Sequence, residues 1–114
     1  MKKQTSARAA ARKISRFCFL TLTVDHTRFD SVELATEAGK RQVRELLDFM
    51  REKKAEIHRS MLDGAGAVKH WHVLLSSDSP FSRDEIEAAW GLGYVNVLNW
   101  VDAALVEKYL NRSV

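Results

Sequence analysis

FCFLTLTV, residues 17–24, is the stretch on which the fold turns. Eight consecutive residues without Gly, Pro or charge, dominated by β-branched and aromatic side chains, read as a buried central strand. Such a strand needs a partner on each edge, and the rest of the chain supplies candidates. After the polar turn 25–30, the box Asp30-x-x-Glu33 can start a helix, and Val43, Leu46, Leu47 and Met50 form its i, i+3, i+4, i+7 stripe as far as about Lys54. Residues 56–62 and 68–76 read as two strands joined by the turn DGAG, 63–66, a hairpin signal. Ser82-x-x-Glu85 is a second capping box, with Ile86, Ala89 and Trp90 as the apolar face and Gly91 as the stop. YVNVLN, 94–99, alternates as a strand does, and Asp102 can cap a last helix over 103–111. The order β-α-β-β-α-β plus a helix predicts an α+β fold. It is the split βαβ arrangement of ferredoxin-like proteins, an antiparallel sheet with helices on one face and a C-terminal helix that carries Tyr109.

At 114 residues, with 46% hydrophobic and 29% charged residues, the chain has the size and composition of one globular domain, residues 17–114, preceded by a distinct arm, 1–16. The lone Cys18 cannot form an internal disulfide and reads as a small apolar residue, which suits a reducing cytoplasm. No apolar run approaches the length of a membrane span, so the expectation is a cytoplasmic protein without a membrane partner. The arm holds Lys2, Lys3, Arg8, Arg12, Lys13 and Arg16 and no acid, which leaves the remainder neutral to slightly acidic. A basic arm of this kind binds phosphates through a salt-sensitive attraction to nucleic acid, or else serves as a solubilising tail.

HWHVLL, 70–75, places two of the chain's four histidines one residue apart in a strand. Side chains alternate, so His70 and His72 share one face while Trp71 and Val73 point to the other. A rigid strand presenting two neutral imidazoles is a candidate divalent-cation site, and the alternative is a pair of polar residues on a solvated face.

Three stretches in order, FLTLT (19–23), HWH (70–72) and VEKYLNR (106–112), together with WGLGYVNV (90–97), make the chain resemble the HUH endonuclease superfamily. The likeness is to the rolling-circle replication initiators of small phages and plasmids, and it extends over nearly all of residues 17–112. It implies a metal-dependent enzyme that nicks single-stranded DNA or an origin hairpin in a bacterial cell and rejoins it, with host helicase and polymerase as further partners. Tyr109 would be the nucleophile, forming a 5′-phosphotyrosine bond, with Lys108 and Arg112 as the nearby cations that assist a phenol of ordinary pKa about 10. His70 and His72 would bind Mg²⁺ or Mn²⁺. Asp63 is the candidate third ligand, with Glu56 and His58 as substitutes, and its competing reading is a plain turn residue. The two-tyrosine branch has a second tyrosine where this chain has Leu105, and Arg112 replaces the usual lysine. For Tyr109 the competing role is a core aromatic. For the protein the competing functions are a catalytically silent DNA-binding module and a single-tyrosine transposase.

Overall fold

The computed structural model describes residues 16–63 and 69–113. Lys2, Lys3, Arg8, Arg12 and Lys13, and the turn expected at 64–66, lie outside the described residues. FCFLTLTV forms β1 (Phe17–Val24), which sits between β3 (His70–Ser76) and β4 (Gly93–Val101). β2 (Glu56–Asp63) pairs with the other edge of β3, so the sheet order is β2-β3-β1-β4 with every pair antiparallel. The crossovers are α1 (Val32–Glu52) and α2 (Arg83–Trp90), and α3 (Ala103–Ser113) follows β4. This is the expected α+β fold with a ferredoxin-like split βαβ order. Among the described residues no helix is long and apolar enough to cross a membrane.

Alternation along β1 divides the sheet into two unlike faces. Cys18, Leu20, Leu22 and Val24 are buried in the main core with Trp71, Val73 and Leu75 of β3, under Leu46 and Met50 of α1 and Ile86 and Trp90 of α2. The opposite face carries Phe19, Thr21, Thr23, His70 and His72, and α3 packs there rather than beside α1 and α2. Its attachment is thin: Leu110 is fully buried, and Arg59 of β2 donates to Glu107 at 2.7 Å and Asn111 at 3.1 Å.

Helix ends follow local backbone chemistry. Ser31, not Asp30, caps α1: its hydroxyl accepts from Leu34 N–H at 3.1 Å and its carbonyl from Ala35 N–H at 3.1 Å. The residue whose carbonyl accepts the first helical bond is the cap, and a capping box counted from Asp30 misses it by one. The helix closes in a Schellman motif, with Ala55 N–H on Met50 O at 3.0 Å, Lys54 N–H on Arg51 O at 2.9 Å, and Lys54 at φ 69°. The box at Ser82 and Glu85 forms as expected, and Gly91 ends α2 at φ 68°.

Trp71 fixes how closely α1 approaches the sheet. Its ring packs at 5.9 Å from that of Trp90, whose indole N–H donates to Thr23 O at 3.0 Å. A Cβ added at Gly39 of α1 would collide with the Trp71 ring. Gly39→Ala should therefore destabilise the fold by about 1–3 kcal/mol despite alanine's better helix propensity, as read by urea unfolding. A neutral or stabilising result would show that α1 sits farther from Trp71.

Candidate active site

β1 and β3 pair so that Thr21 lies opposite His72 and Thr23 opposite His70. The threonine hydroxyls meet the nearer ring nitrogens across the strands: Thr21 Oγ1 is 3.3 Å from His72 Nδ1 and Thr23 Oγ1 is 2.9 Å from His70 Nδ1. Phe19 stacks on His72 with ring centroids 5.3 Å apart, and His72 is only 5% exposed. Burial pushes the His72 imidazole below its ordinary pKa. The hydrogen bond and charge of Asp63 oppose that shift, and nearby His70 adds to it.

Asp63 is the last residue of β2 rather than part of a turn. It pairs with His70 in register, and its carboxylate reaches diagonally to His72, Oδ2 to Nε2 at 3.3 Å. Glu56 and His58 stand at the far end of the sheet: Glu56 is in register with Ser76, and His58 Nε2 bonds Ser76 Oγ at 2.8 Å. Six residues of strand, roughly 20 Å, separate that end of β3 from His70, so neither can share a ligand with the histidines.

Donor atoms that share one cation stand about 3 Å apart, the separation of Asp63 Oδ2 and His72 Nε2. The His70 and His72 ring centroids are 6.5 Å apart with planes inclined by 24°. Among the described residues no group of three or more His, Cys, Asp or Glu side chains is arranged to hold a metal ion. The donor types, two imidazoles and a carboxylate, suit Mg²⁺ or Mn²⁺, and sharing one ion would require these side chains to rearrange.

Tyr109 projects from α3 onto this patch. Its ring meets that of His72 edge to face, with centroids 6.1 Å apart and planes at 85°. At 51% exposure it is not a core aromatic; Leu110 takes that role. Lys108 is exposed and, one position along the helix, projects from a different side than Tyr109. The Arg112 side chain lies outside the described residues. Leu105 is exposed one turn before Tyr109. Arg16, assigned to the arm, is engaged within the chain: it donates to Asp78 O at 2.6 Å and lies over the Trp100 ring, 5.5 Å from its centroid.

Sequence reasoning took FLTLT as a core-strand signature and missed its two threonines as part of the site. The signal was available, because T-x-T and H-x-H share a period of two. Arg59 carried no such signal, since its partners lie far along the chain. The chain matches no family model, no curated protein and no solved structure.

Two predictions concern how this site is held. Arg59–Glu107 is a partly exposed ion pair worth on the order of 1 kcal/mol or less, whereas emptying the buried Leu110 position costs about 2–5 kcal/mol. Hydrogen exchange across α3 should therefore accelerate far more in Leu110→Ala than in Arg59→Ala; equal acceleration would mean that the polar tether dominates.

The second turns on pH. Because His72 titrates below the unfolded imidazole value of about 6.5, the unfolded chain binds more protons over that interval and stability rises with pH. The contribution is complete above about pH 6.5 and is lost as the pH falls from there through the folded value. In urea unfolding with chelator, the parent should lose more stability between pH 7.5 and 5.5 than His72→Gln; the same loss in both would contradict the depressed pKa.

Proposed function

We propose that this chain is a metal-dependent endonuclease that nicks single-stranded DNA through Tyr109, as initiators of rolling-circle replication do. The observation that carries the proposal is the meeting of Tyr109 and His72, edge to face, on the face that also bears His70 and Asp63. Residues from three distant stretches, singled out by chemistry and family likeness, fall in one patch of an otherwise ordinary sheet.

The chemistry requires little more of the protein than this. Tyr109 Oη loses its proton to solvent and attacks phosphorus in line with the 3′ oxygen, the P–O3′ bond breaks, and the 3′ oxygen takes a proton from solvent to leave as a free hydroxyl. Phosphorus stays bonded to the phenol oxygen as a 5′-phosphotyrosine, so attack by a 3′-hydroxyl reseals the strand without an external energy source. A divalent cation held by His70, His72 and Asp63 would neutralise charge on the phosphoryl oxygens. His72 is suited to that set because its depressed pKa keeps the ring neutral near pH 7. Tyr109 is half exposed on its helix, so a phosphate can approach it without entering the core.

Single-stranded rather than duplex DNA suits the surface beside the site. Tyr94 and Leu98 of β4 are exposed, and Tyr94 and Asn96 continue the cross-strand rows of Thr23 with His70 and Thr21 with His72. Unpaired bases stack on such side chains, whereas paired bases are already stacked on one another. A catalytically silent DNA-binding module is the second reading, favoured by the lack of a three-donor cluster among the described residues.

Labelled single-stranded DNA incubated with Mn²⁺ separates the two. The parent should yield a covalent protein–DNA adduct and a nicked strand, both abolished by EDTA. Tyr109→Phe removes one oxygen from a half-exposed ring, so it should fold and bind DNA normally while adduct and nicking fall by about three orders of magnitude or more. DNA binding by the parent without adduct or nick would decide for the silent module.

A further inference from the structure

We infer that Thr21 and Thr23 are positioning residues whose hydroxyls clamp the Nδ1 side of His72 and His70 and so fix Nε2 as the nitrogen each ring presents. The inference rests on the histidine site proposed above and extends it to two residues of a strand otherwise devoted to the core. Both contacts lie within hydrogen-bond reach, at 3.3 Å for Thr21 and His72 and 2.9 Å for Thr23 and His70. Both arise from register alone, because each threonine is the direct cross-strand partner of its histidine. A repeat of period two on β1 facing another on β3 gives the two rings the same support.

The chemistry favours a hydroxyl at these positions. An O–H both donates and accepts, so threonine can serve either imidazole tautomer. In His72 the Nε2 atom faces the Asp63 carboxylate, which favours a proton on Nε2 and a threonine that donates to Nδ1. When a cation takes Nε2 the proton must sit on Nδ1, and the same hydroxyl turns to accept it. Valine has the shape of threonine and can do neither.

Burial makes the two positions unequal. His72 is 5% exposed, so no water can replace a lost hydroxyl at its Nδ1. His70 is only half-buried, and water can stand in for Thr23. Outer partners of metal-binding histidines typically change metal affinity by about 10–100-fold, and the buried position should show the larger loss.

The experiment uses the full chain and Mn²⁺ alone, with affinity read by calorimetry, in Thr21→Val, Thr21→Ser and Thr23→Val. Thr21→Val should weaken Mn²⁺ binding by about tenfold or more, Thr23→Val by less, and Thr21→Ser should stay near the parent, each measured where the variant is fully folded. A second measurement needs no metal. Nuclear Overhauser contacts in the metal-free chain should show one ring orientation for His70 in the parent and averaged orientations in Thr23→Val.

Thr21→Val affinity within twofold of the parent, or a His70 ring of averaged orientation in the parent itself, overturns the clamp. If the parent binds no Mn²⁺ but His70 still loses its single ring orientation in Thr23→Val, the clamp stands and the metal-dependent reading of the site falls.

Discussion

The antiparallel register of β1 against β3 is the constraint on which the rest of this structure depends. With Thr21 opposite His72 and Leu22 opposite Trp71, the two central strands agree about which face is core and which is site. A slip of one residue would turn Trp71 out of the core and drive the histidines under α1 and α2. The core prevents the slip, because Trp71, Leu20, Leu22, Val73 and Leu75 would all lose their burial at once. Hydrophobic packing on one side thus sets the spacing of polar groups on the other with the rigidity of a sheet.

The two sides are stabilised very unequally. The core face is covered by two helices anchored through Leu46, Met50, Ile86 and Trp90, all nearly or fully buried, and is tightened by the close approach of Gly39 to Trp71. On the site face, the contacts that dock α3 include one fully buried leucine, a partly exposed ion pair and the edge-to-face contact of Tyr109 with His72. The helix that carries Tyr109 is therefore among the elements with least to lose by moving, whereas the strands carrying the histidines are among those with most. Under the proposed function, that division would let Tyr109 approach and leave a bound strand while the histidines stay fixed.

Much of the fold was legible because local rules and tertiary packing agree. The apolar run at 17–24, the stripe from Val43 to Met50, the capping box at Ser82 and the alternation after Gly93 each name one element without reference to its neighbours. Failures occurred where the deciding partner was backbone or distant. The Asp30 box falls one residue short of the cap, Ser31, because a spacing pattern cannot show which carbonyl accepts the first helical bond. Asp63 followed by glycine has turn chemistry, yet it closes β2 because pairing with His70 extends the ladder to it.

The sequence by itself determined the element order, the faces of the strands and the shared side of His70 and His72, because periods of 2 and 3.6 are properties of the backbone alone. Only the tertiary structure decided which face α3 covers, that Tyr109 meets His72 while Leu110 fills the core position, and that Asp63 rather than Glu56 or His58 stands beside the histidines. Those outcomes depend on strand order and on contacts between segments far apart in the chain. It also decided that the threonines of β1 face the histidines, since a cross-strand partner is fixed by register and register is fixed by the core.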